Sequence, residues 1–156
     1  MTHELAPEAR VFAMLEGRWA LSRSIPGQGT MRGSAWFDLV RPALLHYREE
    51  GQLHLDDGAT VPAGRRYVYL LEPGQLRIAF ADSGRRTQGT LHRLRLTRCG
   101  AVGDWPLCAE DVHCCGQDRY LGRYRFESAS RISIQIVVRG PAKDYAIHTT
   151  LRRVPR

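Results

Sequence analysis

The segment Leu15-Glu16-Gly17-Arg18-Trp19 ends a short helical pattern and begins a long series of strand patterns, while Arg152 and Arg153 stand near the other end of the 156-residue chain. A Gly-x-Trp on the first strand and an arginine on the last suit a sheet that closes on itself. The guanidinium of Arg152 or Arg153 can lie over the Trp19 indole, because a cation is attracted to the face of an aromatic ring. This pairing predicts a barrel in which Trp19 covers one end and the first strand adjoins the last.

The hydrophobic period changes at Gly17. Before it, Val11, Phe12 and Leu15 form an apolar stripe that predicts a helix over residues 7–16. After it the period is two, which indicates strands at residues 18–25, 32–39, 43–50, 52–55, 64–72, 75–81, 90–97, 119–127, 132–139 and 144–153. Turn residues separate these strands at Pro26-Gly27, Gly51, Asp57-Gly58, Pro73-Gly74, Ser83-Gly84 and Gly140-Pro141.

Many short strands at nearly regular spacing, with no second helical pattern, predict an all-β fold. We expect an antiparallel up-and-down closed barrel of about 8–10 strands with a short N-terminal helix. Residues 1–156 then form one domain, with 1–17 as helix and lead-in and 18–153 as the barrel. The segment 98–118 has no clear period and is predicted to be a long loop.

Composition bears on partners and compartment. The net charge of +7 comes almost wholly from arginine, since Lys143 is the only lysine. Such a bias fits either a phosphate-binding surface or an arginine-favouring base composition. The chain shows no secretory signal and no apolar run of membrane-spanning length, so we expect a soluble cytoplasmic protein with no membrane partner. Free thiols are therefore expected rather than disulfides at Cys99, Cys108, Cys114 and Cys115.

The alternation of strand side chains assigns an unusual set of polar residues to the inner face. These candidate ligand-binding residues are Arg23, Tyr47, Glu49, Tyr67, Tyr69, His92, Tyr120, Tyr124 and Tyr145. An unpaired buried charge is costly, so these groups must pair, meet water or line a cavity. Two interpretations stay open: an internal network in which tyrosine hydroxyls cap an Arg23–Glu49 pair, or a wet cavity that receives a small molecule.

Several motifs follow one another in a fixed order along the chain. They are Leu15-Glu16-Gly17-Arg18-Trp19; Arg23 and Ile25; Gly33-x-Ala35-x-Phe37; Tyr47-x-Glu49-x-Gly51; Arg66-Tyr67-x-Tyr69; His113-x-Cys115-x-x-Asp118-x-Tyr120-x-Gly122-x-Tyr124; and Gly140-Pro141-x-Lys143-Asp144-Tyr145. Together they resemble the family called domain of unknown function 6314. The resemblance implies a calycin-like barrel, shaped like lipocalins and fatty-acid-binding proteins. It also implies tryptophans in the strand before Gly-Pro, where this chain has Ile132, Ile134 and Ile136.

A non-enzymatic small-molecule-binding barrel with a tyrosine-lined cavity is the first functional hypothesis. The runner-up is a basic barrel associated with RNA, another anionic partner or a protein complex, through outward residues Arg93, Arg95, Arg119, Arg123, Arg125 and Arg139. A second alternative is an enzyme that uses Glu49 and His92 as acid and base.

No cofactor is expected, and two weaker alternatives concern metals. Zinc could be held by ligands from His113, Cys114, Cys115 and Asp118 with Cys99 and Cys108, although the spacing lacks a C-x-x-C pair. Haem could be held by His92, although the charged groups predicted inside the barrel suit a porphyrin poorly.

Overall fold

The computed structural model describes residues 5–81 and 88–155, and the predicted Ser83-Gly84 turn lies outside them. The described residues form one helix and eleven strands. These are α1 (Pro7–Leu15), β1 (Gly17–Ile25), β2 (Gly29–Arg41), β3 (Leu44–Leu55), β4 (Thr60–Glu72), β5 (Gln75–Phe80), β6 (Gln88–Leu94), β7 (Thr97–Arg98), β8 (Leu107–Cys115), β9 (Asp118–Ser128), β10 (Arg131–Gly140) and β11 (Lys143–Arg153). Within these ranges, no helix has the length and apolar character needed to cross a membrane.

The strands form one antiparallel sheet, which confirms the predicted all-β up-and-down class. Their order is β6-β5-β4-β3-β2-β1-β11-β10-β9-β8-β7, so the first strand pairs with the last, as expected. The sheet curls into a half-barrel whose two edges are β6 and β7. The prediction of a fully closed barrel therefore needs correction, because the described hydrogen-bond ladder is open between these edges.

The open edges are bridged by side chains along a seam, which we define as the contact of β6 with β8 and β9. The Arg93 backbone N–H donates to the Asp111 carboxylate at 2.7 Å, and the His92 ring meets the Tyr120 carbonyl at 2.9 Å. Strand β6 pairs with β5 at one edge of the sheet, and β7, which follows it in the chain, pairs with β8 at the other edge. The Asp111 carboxylate therefore satisfies an N–H group of the edge strand β6 that a regular ladder would otherwise pair.

Strand β8 occupies a segment that the sequence pattern predicts to be a loop. Its inward residues include Asp111, His113 and Cys115, and its outward face carries Val112, which is 49% exposed. Polar residues thus face inward and an aliphatic residue faces outward. From Asp111 onward the hydrophobic alternation that identifies a strand is absent, although the backbone pairs with β9 over the whole length of β8.

Other strand boundaries also differ from prediction. Gly51 lies inside β3, opposite Gly33, instead of in a turn, so the strands predicted at 43–50 and 52–55 are one. A Cβ at Gly51 would collide with the Arg32 carbonyl, which explains why glycine occupies a strand interior. The strand predicted at 90–97 is divided between β6 and β7.

The expectation of free thiols is wrong for one pair of cysteines. Cys99 and Cys108 form a disulfide, while Cys114 and Cys115 are free and exposed. The short antiparallel pairing of β7 with β8 brings the Cα atoms of the bonded pair to 5.9 Å, a separation that a disulfide spans. Sequence spacing did not show this pairing.

Helix α1 covers one end of the curled sheet. Val11 and Leu15 are fully buried against Trp19, whose indole N–H donates to the Leu15 carbonyl at 2.9 Å. The Arg153 guanidinium lies 4.5 Å from the Trp19 ring centroid and donates to the Glu16 carbonyl at 2.9 Å. Of the two arginines predicted for this contact, Arg153 makes it and Arg152 points outward into solvent.

Candidate functional site

Two adjoining cavities lie on the inner side of the sheet. The outer cavity has a volume of about 340 Å³ and is lined by Arg65, Tyr67, Phe80, Leu91, His113, Cys115, Tyr120, Ile136, Tyr145 and Ile147. The inner chamber has a volume of about 30 Å³ and shares Arg65, Tyr67, Leu91, Ile136 and Ile147 with it. A chamber of that size has room for about one or two waters. The outer cavity is therefore the space that a ligand could fill.

The floor of the inner chamber is a buried ion pair. Arg23 on β1 donates to both oxygens of Glu49 on β3, at 2.7 and 2.9 Å, and donates through Nε to Thr149 at 2.9 Å. The Tyr47 hydroxyl donates to Glu49 at 2.5 Å. Arg23 is 8% exposed and Glu49 is 2% exposed. The Arg23–Glu49 network, one of the two interpretations that the sequence left open, is thus present.

Electrostatics keep this pair ionised despite its burial. Burial alone would raise the pKa of the Glu49 carboxyl, but hydrogen bonds and charge from Arg23 outweigh burial and hold that pKa below its usual range. Burial also opposes the charge on Arg23, yet Glu49 raises the Arg23 pKa. The pKa of Tyr47 is raised well above its usual value, chiefly by burial and then by the adjacent carboxylate. Tyr47 therefore stays a hydrogen-bond donor.

Two tyrosines of the inner chamber have hydroxyl groups without a protein partner. Among residues 5–81 and 88–155, no hydrogen bond to the hydroxyl of Tyr67 or Tyr69 occurs, although both residues line the chamber. Burial raises the pKa of Tyr69, which is 5% exposed, so its hydroxyl is protonated and can donate. These hydroxyls are available to water or to a ligand.

His92 lies in the seam behind the chamber, and the structure does not bring it to Glu49. Its Nε2 is 2.9 Å from the Tyr120 carbonyl, which can only accept, so Nε2 carries a proton. Burial lowers the pKa of His92, so the ring is neutral at pH 7 and its Nδ1 accepts from the Tyr124 hydroxyl at 2.7 Å. Tyr124 lines the inner chamber, and His92 does not. The expectation that Arg23, Glu49 and His92 share one cavity is corrected accordingly.

The seam should weaken in mild acid because of His92. Its folded-state pKa is depressed, so the unfolded chain binds the proton first as pH falls through the ordinary histidine value of about 6.5. We expect the free energy of unfolding to fall below that pH, by at most about 1.4 kcal/mol per pH unit from this residue. In His92→Gln, the free energy of unfolding measured with urea should fall less between pH 7.5 and pH 5.5 than in the wild type. His148→Gln, at an exposed position, should keep the wild-type profile; an unchanged profile in His92→Gln would contradict the assignment.

The rim of the outer cavity carries the remaining predicted tyrosines. Tyr120 and Tyr145 line it on opposite sides of β10. The Lys143 ammonium bonds the Tyr120 hydroxyl at 3.1 Å and pairs with Asp118 at 3.0 Å, and these two contacts raise the Lys143 pKa. The rim charges thus neutralise each other.

Several lining residues were not among the predicted ligand-binding residues. Arg65 and Thr149 share strand parity with predicted neighbours, so alternation could have identified them. His113 and Cys115 lie on β8, and their inward direction follows only from its pairing with β9. Leu91 and Phe80 are apolar parts of the wall of the outer cavity.

The outward arginines do not form an open basic face. Three of the six predicted residues pair with acids: Arg123 with Glu110 at 3.2 Å, Arg125 with Glu127 at 3.6 Å, and Arg139 with Asp144 at 3.1 Å. Arg93, Arg95 and Arg119 are exposed. Partial neutralisation weakens the electrostatic basis for an RNA partner, since phosphate binding depends on uncompensated charge.

The described residues give little support to the zinc and haem alternatives. No group of three or more His, Cys, Asp and Glu side chains that could hold a metal occurs in the described part of the chain. Cys99 and Cys108 are bonded to each other, and both ring nitrogens of His92 are hydrogen-bonded. None of these three residues therefore presents a free ligand atom for zinc or haem iron.

Comparisons with known proteins agree on family and fold. The sequence profile of a family of unknown function, DUF6314, matches residues 15–153. No curated protein matches the sequence.

Three solved structures resemble the chain. The S-type phycobiliprotein lyase CPES from Guillardia theta has a TM-score of 0.55 at 9% identity, over 95% of this chain and 93% of the other. Rv2717c from M. tuberculosis has a TM-score of 0.55 at 14% identity, over 97% and 100%. EF1p2_mFAP2b bound to DFHBI has a TM-score of 0.52 at 14% identity, over 94% and 99%. At such identities the likeness concerns the fold alone.

Proposed function

The chain belongs to the DUF6314 family, a family of unknown function, and we propose for it the role of a non-enzymatic calycin-like barrel that binds one small molecule in the outer cavity. The observation that carries this proposal is the cavity itself, about 340 Å³ of space on the inner side of the sheet. That volume lies at the lower end of the roughly 300–1,000 Å³ range of ligand sites.

The wall of the outer cavity is more typical of a ligand-binding site than of a core that only stabilises the fold. Apolar side chains and aromatic rings make up most of it, with a few polar groups that could orient a bound molecule. A core filled only for stability would leave no space of this size, since protein interiors are close-packed. Tyr67 and Tyr69, whose hydroxyls have no hydrogen-bond partner among residues 5–81 and 88–155, line the inner chamber.

The same geometry disfavours the acid–base enzyme. Glu49 is fully engaged by Arg23 and Tyr47, and His92 is engaged by Tyr124 and Tyr120. A general base needs to reach a substrate proton, and neither Glu49 nor His92 lines the outer cavity. Binding without chemistry is the simpler role for this site.

Filling the outer cavity should weaken binding strongly. Ile136→Trp adds a bulky ring to the shared wall of the two cavities. We expect wild-type protein to bind the neutral fluorescent probe N-phenyl-1-naphthylamine, and Ile136→Trp to bind it about tenfold or more weakly, because overpacking costs about 1–3 kcal/mol. Fluorescence titration measures both.

A matched control lies one residue along β10. Val137 faces the other side of the sheet, so Val137→Trp should bind the probe as the wild type does. Equal loss in both variants, or no saturable binding by the wild type, would overturn the proposal.

A further inference from the structure

Arg65 is the one guanidinium that faces both cavities among the described residues. It lies on β4 and lines the outer cavity and the inner chamber, and its side chain is 36% exposed. Its ion contact is with Glu49, at 3.8 Å from Nε to Oε1. That distance is at the outer limit of an ion pair, and much longer than the 2.7 Å contact made by Arg23.

Charge compensation at the site leaves Arg65 in excess. Glu49 is already neutralised by the bidentate Arg23 and accepts from Tyr47 as well. No Asp or Glu occurs among the described lining residues of the outer cavity. Lys143 and Asp118 neutralise each other at the rim. The cavity therefore holds about one uncompensated positive charge, which sits at its inner end.

Aromatic groups form much of the wall that leads from solvent to Arg65. The rings of Tyr67, Phe80, His113, Tyr120 and Tyr145 surround the outer cavity. Phe80 lies 5.6 Å from His113 and 6.1 Å from Tyr67, centroid to centroid, so the rings form a continuous lining. Such rings favour a flat unsaturated body through offset and edge-to-face contacts.

We propose that the ligand class is an aromatic monocarboxylic acid, with its carboxylate bound by the Arg65 guanidinium and its ring held between the aromatic walls. The planar fork of arginine matches a carboxylate with two parallel hydrogen bonds. Tyr67 borders both cavities, and its hydroxyl can donate a further bond. A phosphate monoester carries close to two charges at neutral pH and would exceed what one guanidinium neutralises. This inference rests on the proposed function, since it assumes an occupied outer cavity.

The test compares a charged and a neutral probe in Arg65→Gln. We expect 2-naphthoate, followed by calorimetric titration, to bind wild-type protein and to bind Arg65→Gln about 10- to 100-fold more weakly. N-phenyl-1-naphthylamine, which carries no acid group, should lose much less affinity in Arg65→Gln than 2-naphthoate does. Arg65→Lys keeps the charge without the fork, so its naphthoate affinity should lie between the two.

Arg66→Gln is the matched control, because Arg66 is the next residue on β4 and is exposed on the other face. It should bind 2-naphthoate as the wild type does. Binding of the neutral probe without naphthoate, equal loss in Arg65→Gln and Arg66→Gln, or tighter binding of 2-naphthyl phosphate than of naphthoate would overturn the ligand class and leave the cavity function intact. Failure of both probes would overturn the cavity function itself.

Discussion

Replacement of Arg23 by methionine is expected to lower the free energy of unfolding by about 3–5 kcal/mol at neutral pH. The variant removes the bidentate partner of a carboxylate that is 2% exposed, and leaves Glu49 with the Tyr47 hydroxyl and a distant Arg65. An uncompensated buried charge costs more than the lost hydrogen bonds themselves. Chemical denaturation of both proteins measures the difference.

The double variant Arg23→Met with Glu49→Leu is the control for this effect. Removal of both charges leaves no isolated ion, so we expect the double variant to be more stable than Arg23→Met alone. The penalty of the single variant should also shrink in acid. The depressed pKa of Glu49 means that its contribution is present above the ordinary carboxyl value of about 4.3 and is lost as pH falls through the folded-state pKa. Equal stabilities of single and double variants would contradict the buried-pair account.

Trp19→Ala should cost about 3–5 kcal/mol, the range for large buried aromatic residues cut to alanine. Trp19 is fully buried, contacts α1 through its N–H bond to Leu15, and meets Phe37 edge-on at 6.3 Å. Loss of the indole leaves a void where the helix, the first strand and the last strand meet. Thermal and urea unfolding should both report the loss.

The two arginines near the C-terminal end of β11 provide a matched pair for the closing contact. Arg153→Gln removes the cation over the Trp19 ring and donors to the Glu16 and Ala129 carbonyls, and should cost about 1 kcal/mol or more. Arg152→Gln alters an exposed side chain and should change stability by less than about 0.5 kcal/mol. The reverse order would show that the wrong arginine has been assigned to the closure.

Much of the inner face was predictable, because a strand side chain can point in only two directions. Once Arg23, Tyr47 and Glu49 share the parity of buried aliphatic neighbours, their inward direction follows from the two-residue period. The pairing of Arg23 with Glu49 follows from the cost of an isolated buried charge. The Trp19–Arg contact was likewise readable, since cation–π attraction and chain ends on neighbouring strands give one consistent arrangement.

The seam depended on tertiary structure. His92 has the inward parity that the pattern assigns, yet its position behind Tyr124 depends on how β6 meets β9, where Gly122 leaves space for the ring: a Cβ there would lie 2.5 Å from His92 Cε1. No local period encodes which strands meet at the edges of a curled sheet. The alternation of side chains along a strand predicts which face of the sheet a residue lies on, but the order of strands decides which residues it contacts.

The sequence alone determined the all-β class of the fold, the pairing of the first strand with the last, and the polar residues on the inner face. Each of these follows from local periodicity or from one strong contact. Tertiary structure alone decided four features: the strand β8, the Cys99–Cys108 bond, the seam between the open ladder edges, and the place of Arg65 between two cavities. These features depend on contacts between residues far apart in the chain. From Asp111 onward the inward residues of β8 are polar, so the hydrophobic alternation that identifies the other strands is absent there.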